Sequence, residues 1–154
     1  MLDRFERFTF AISYISRYWH KIAADEMEKY GLKSSHAIYL VSMYNYQEGI
    51  TAAKLCELCG KDKADVSRMM SLLEKKGLVK KCGENHYRAL LKLTDEGKTA
   101  AEHVRKRAKL AVEVAGKGIS DEHREIFYNS LERITANLQA ISREGLPEQT
   151  EING

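Results

Sequence analysis

The sequence is short of several things, and each shortage excludes something. It has a single proline, Pro147, near its C-terminal end. No earlier position is therefore barred from a helix interior by a missing N–H and a fixed ring. It has three cysteines, an odd number that argues against a secreted disulfide framework. Long apolar runs are missing: the longest, Ala37–Val41, is far below the ~18 residues a membrane span requires. The opening Met1-Leu2-Asp3-Arg4-Phe5-Glu6 has neither a basic segment nor an apolar core of the signal-peptide kind. A cytoplasmic protein with no membrane partner is expected. There is also no glycine-rich phosphate loop, no nucleophile elbow and no H-E-x-x-H pair, so neither catalysis nor a cofactor is expected.

What is present is the makeup of one folded domain: 154 residues, 44% hydrophobic and 31% charged. A chain of this length can bury roughly 68–70% of its extended surface, enough to hold together without disulfide or metal. The net charge is only +3. Its excess is concentrated between Lys54 and Lys98, where eleven Lys and Arg face seven Asp and Glu. This is a weak footprint of a polyanionic partner.

Hydrophobic periodicity divides the chain. Leu2, Phe5, Phe8, Ile12, Ile15, Trp19 and Ile22 recur every three or four residues along one face of a long helix, which Gly31 can close. Ser34 or Ser35 can cap a second helix reaching about Tyr46, and Thr51 a short third one ending at Gly60. Asp62 caps a fourth, whose Val66, Met69, Met70 and Leu73 face inward. Then the period changes. Leu78–Lys81, a turn at Gly83-Glu84-Asn85, and the alternating Tyr87, Ala89, Leu91 and Leu93 read as a β-hairpin. Thr94-Asp95-Glu96 opens a fifth helix that runs to the Gly116–Gly118 break. Ser120 opens a sixth, with a narrow seam of Phe127, Leu131, Ile134, Leu138 and Ile141.

Helix, helix, short helix, turn, helix and hairpin make a mostly α winged helix-turn-helix flanked by long N- and C-terminal helices. Residues 1–143 are expected to form a single domain, with residues 32–93 as the winged helix-turn-helix module. Residues 1–31 and 94–143 supply dimerisation helices, and 144–154 form a frayed tail. The seam of the last helix is too long for one small domain to cover, so a second copy of the chain is its natural partner.

The stretch Ile50-Thr51-Ala52-Ala53-Lys54-Leu55-Cys56-Glu57-Leu58-Cys59-Gly60-Lys61-Asp62-Lys63-Ala64-Asp65-Val66-Ser67-Arg68 resembles the helix-turn-helix of the multiple-antibiotic-resistance regulator (MarR) family of transcription factors. Leu72-Leu73-Glu74-Lys75-Lys76-Gly77-Leu78-Val79 is similar to that family's exit into the wing, and Leu93-Thr94-Asp95-Glu96-Gly97 to its return. The resemblance implies a homodimeric repressor of a near-palindromic operator, released by a small, often aromatic, effector. The family's wing usually carries Asp-x-Arg. Asn85 and Tyr87 stand at those two places here, and arginine follows one residue later as Arg88.

Double-stranded DNA is thus the expected partner. With the fourth helix packed as above, Lys63, Ala64, Ser67, Arg68 and Ser71 face outward, and Lys61 precedes them. A major groove admits a helix in this pose, and arginine can donate two hydrogen bonds to guanine. Asn85, His86 and Arg88 are the wing candidates. Tyr14, Tyr18, Tyr39 and Met43 are candidates for an effector pocket, or else ordinary core. Cys56-x-x-Cys59, with Cys82 and His86, has the makings of a metal or redox site; both helix cysteines equally suit a small hydrophobic core position. Zinc-sensing relatives pair two histidines four apart after the wing. Here His103 is followed by Arg107, so no resident metal is expected. The alternative to a DNA-binding regulator is a winged-helix protein-interaction module that does not bind DNA.

Overall fold

The computed structural model describes residues 3–83 and 89–147. The order of elements is α1 (Arg4–Glu28), a 3-10 turn (Ser34–His36), α2 (Ala37–Tyr44), α3 (Ala52–Cys59), α4 (Lys63–Lys75), β1 (Val79–Cys82), β2 (Leu90–Leu93), α5 (Asp95–Ala115) and α6 (Asp121–Glu144). Two compact units emerge, Met1–Ala111 and Val112–Gly154.

In the first unit the helix boundaries follow side-chain chemistry. Asp3 and Glu6 form a reciprocal capping box on α1, with the Glu6 N–H donating to Asp3 Oδ1 at 2.8 Å and the Asp3 N–H to Glu6 Oε2 at 3.0 Å. Thr51 caps α3 through the Lys54 N–H, and Asp62 caps α4 through the Asp65 N–H. The second helix is shorter than its periodicity suggests. Its first turn is the 3-10 segment, and regular helix stops at Tyr44.

The strands pair antiparallel, with Val79 opposite Leu93 and Cys82 opposite Leu90. Ile50 adds a single bridge to Leu91 through two 2.9 Å hydrogen bonds. The expected alternation holds over β2, where Leu91 and Leu93 are buried and Leu90 and Lys92 half-buried; Ala89, just before it, is half-buried as well. The hairpin tip, and Tyr87 with it, lies outside the described residues.

One core unites this unit. Met27 from α1, Leu40 and Met43 from α2, Leu55 from α3, Val66 and Leu73 from α4 and Ala101 from α5 are all essentially buried. The long apolar row of α1 does not join it. Phe5, Phe8, Ile12, Ile15, Trp19 and Ile22 are exposed, and only Glu26 and Met27 of that helix are buried.

The second unit is organised around Arg124. Its guanidinium reaches Glu113 Oε2 at 2.8 Å and donates to the carbonyls of Gly116 (2.8 Å) and Ile119 (3.2 Å). Ser120 caps α6 through the His123 N–H. No residue of α6 is buried, and Ile126, Phe127 and Leu138 are exposed. Residues 148–154 of the expected tail lie outside the described residues. Among the described residues no helix is long and apolar enough to cross a membrane.

Candidate nucleic-acid interface

The turn between α3 and α4 sets the pose of α4. Gly60 closes α3 in the left-handed region (φ 60°), and its N–H returns to the carbonyls of Cys56 and Glu57. A Cβ at this φ would strain the backbone, so glycine fits here at little cost. The chain then reverses through Lys61, and Asp62 caps α4 at once.

Helical period does the rest. Val66, Met70 and Leu73 are buried, which turns Lys63, Ala64, Ser67, Arg68 and Ser71 into solvent. Lys61 is exposed as well. All six candidates on the turn and helix therefore lie on or beside one open face. Asn85, His86 and Arg88 lie outside the described residues.

One neighbour of this face escapes a reading by motif. Asp65 Oδ1 accepts a hydrogen bond from Arg68 Nη2 at 2.9 Å. The i, i+3 spacing of an acid before an arginine is the signal that could have found it.

The effector candidates are not brought together. Tyr39 and Met43 are buried core residues, 3% and 2% exposed. Tyr14 and Tyr18 lie on the open side of α1, stacked in a row with Phe10. Their helical spacing is right for α1's exposed row, and α2 turns its own two into the core.

A cavity of about 530 Å³ opens elsewhere in the first unit. Trp19, Ile22, Ile38, Val41 and Val104 supply apolar walls, and none of the four candidates lines it. Lys61 and Arg107 reach its surface. These residues come from stretches up to eighty-odd positions apart, so no local pattern announces them.

Glu26 borders the same cavity and ties α1 to α5. Its carboxylate lies 2.7 Å from Lys29 Nζ, 2.7 Å from His103 Nε2 and 2.8 Å from Arg107 Nε. The hydrogen bond from Lys29, then that from His103, outweigh burial and hold its pKa down at about 2; Arg107 adds to the effect.

The cysteines are free. Cys59 is buried, with its Sγ 3.6 Å from Ser42 Oγ, and burial pushes its thiol pKa up. Cys56 and Cys82 are partly buried. Among the described residues no group of three metal-ligating side chains gathers.

The wing's return has a physical basis. Thr94 Oγ1 donates to the Gly77 carbonyl at 2.6 Å and accepts from the Gly97 N–H at 3.0 Å. It thus caps α5 and pins it to the end of α4.

Over residues 30–102 the chain matches the sequence model of the MarR family. The order of helices, hairpin and flanking helices agrees with solved structures of that family. The chain has the MarR-family fold. A MarR transcriptional regulator from Methanosarcina mazei Go1 is similar over 92% of this chain and 94% of its own, with 27% identity and a TM-score of 0.77. A putative MarR-family regulator from Listeria monocytogenes, complexed with 26mer DNA, is similar over 97% of this chain and 99% of its own (25% identity, TM-score 0.78). The Staphylococcus aureus MepR–DNA complex shares the fold at 19% identity, over 85% of this chain and 97% of its own, with a TM-score of 0.76. No curated protein sequence matches the chain. These MarR-family neighbours are transcriptional regulators rather than enzymes.

Proposed function

We propose that the protein is a cytoplasmic, homodimeric, sequence-specific DNA-binding regulator that represses from a near-palindromic operator and is released by a small apolar effector. The observation that carries this reading is the exposed row Ala64, Ser67, Arg68 and Ser71 on α4. That helix is capped at its start and buried along its opposite side, in a fold that the Listeria relative presents to DNA.

In this reading residues 32–93 are the DNA-binding module. Ser67, Arg68 and Ser71 meet base edges while Lys61 and Lys63 meet phosphates. Asn85, His86 and Arg88 are assigned to the flanking contact on the family resemblance alone. The helices in residues 1–31 and 94–143 serve dimerisation. The uncovered Phe5, Phe8, Ile15 and Trp19 of α1, and Phe127 and Leu138 of α6, support this, because apolar rows of that length are usually covered. Two-fold symmetry then spaces the operator's half-sites about 10 bp apart or a multiple of that. Light scattering should return the mass of two chains; a mass of one chain would remove the dimer.

The effector is assigned to the 530 Å³ cavity, whose size suits a small molecule. A coupling of only ~1–3 kcal/mol between effector and operator would change DNA affinity 5–150-fold.

The test is fluorescence anisotropy on the DNA upstream of the protein's own gene, against scrambled competitor, at two salt concentrations. Specific binding that weakens linearly in log salt is expected. Arg68→Ala should cost about 1–3 kcal/mol and relax the preference at one base pair. Binding with no preference over scrambled DNA at low salt would overturn the reading in favour of a protein-interaction module.

A further inference from the structure

Asp65 is an unexpected residue to find beside a surface that meets a polyanion. It stands in the first turn of α4, three positions before Arg68, and its side chain is 43% exposed. A carboxylate there repels phosphate and lowers affinity for any DNA, whatever its sequence. It is not required as a cap, since Asp62 already accepts the hydrogen bond from Asp65's own N–H at 2.8 Å. What it does contact is the Arg68 guanidinium, at 2.9 Å.

That contact changes what Arg68 can do. An arginine side chain 72% exposed samples many rotamers, and ordering it on binding costs free energy. Guanidinium carries five N–H donors in a rigid fork. Asp65 engages Nη2 and leaves the remaining donors free, enough for a bidentate contact to guanine O6 and N7. A fork already held in one plane accepts guanine and fits other bases poorly.

We propose that Asp65 is a positioning residue for Arg68 that trades general DNA affinity for selectivity at the base pair Arg68 reads. The proposal rests on the DNA-binding reading of α4. It separates two quantities that a merely structural role would move together: binding to scrambled DNA and preference for the guanine.

The experiment starts from a duplex selected out of a random-sequence pool by the wild-type protein. Arg68→Ala identifies the base pair whose preference depends on that side chain. Asp65→Ala and Asp65→Asn are then measured by anisotropy on the selected duplex, on the duplex with that guanine replaced, and on scrambled DNA. Thermal unfolding confirms that each variant folds; Asp65→Asn preserves the shape should Asp65→Ala not fold. The expected result for Asp65→Ala is scrambled-DNA affinity raised several-fold at low salt, with preference for the guanine lowered on the order of 5–10-fold. Asp65→Asn should raise scrambled-DNA affinity similarly. In an Arg68→Ala background, Asp65→Ala should leave base preference unchanged. Full retention of the guanine preference in Asp65→Ala would overturn the proposal, as would an equal change in the Arg68→Ala background. Failure of the wild type to select any sequence would instead remove the DNA-binding reading itself.

Discussion

Gly97→Ala should lower the unfolding free energy by about 3 kcal/mol, at the upper end of what overpacking costs. The sign is the informative part. In an ordinary helix interior the same change stabilises by about 1 kcal/mol, because alanine is the better helix former. Gly97 is not in an ordinary position. A Cβ there would collide with the Leu78 carbonyl oxygen and stand 2.9 Å from its carbon. Both are backbone atoms, and the same oxygen accepts the Thr94 N–H at 3.0 Å, so neither can step aside cheaply. Relief requires α5 to move away from the start of β1. Urea denaturation decides the matter: a midpoint unchanged or raised would mean that the close approach of α5 to Leu78 is not maintained. Because Leu78 leads directly into the hairpin, the variant should also weaken the proposed DNA binding.

Glu26→Gln should cost about 2 kcal/mol at neutral pH, and the cost should vanish in acid. The carboxylate is buried against Lys29, His103 and Arg107, and its pKa is held at about 2 from an ordinary 4.5. A carboxylate with a depressed folded pKa contributes stability that is complete above its unfolded value. That stability is lost as pH falls through the folded value. The window is therefore roughly pH 4.5 down to 2. A drop from 4.5 to about 2, fully realised, would correspond to about 3 kcal/mol; the exposed partners, Lys29 and Arg107, reduce it through solvent screening. Denaturation of wild type and variant at several pH values between 7 and 2.5 checks this. A difference that stays constant across the range would show that the carboxylate's charge is not what ties α1 to α5.

These two sites mark the border between what was legible in the chain and what was not. Thr94 and Gly97 stand out as a pattern, and Thr94's capping role follows from local chemistry. The reason for Gly97 does not, since Leu78 approaches it only in the folded molecule. Glu26 is one more acid on a long helix until α5 brings His103 and Arg107 to it from 77 and 81 residues away. The effector candidates divide along the same border. Tyr39 and Met43 have a helical spacing that suits a core and a pocket equally, and only packing distinguishes the two. The apolar row of α1 was legible as a row, while its exposure in a single chain was not.

The sequence by itself determined the order of elements and the outward face of α4. Caps at Thr51, Asp62 and Ser120, glycine breaks and a change of period from 3.6 to 2 are local features, acting over three or four residues. Orientation of Ala64, Ser67, Arg68 and Ser71 follows from burying Val66, Met70 and Leu73 on the same helix. The tertiary structure alone decided the cavity, the Glu26 cluster and the glycine contact at Leu78. Each depends on atoms distant in the chain, and a one-dimensional pattern carries no information about which distant groups meet.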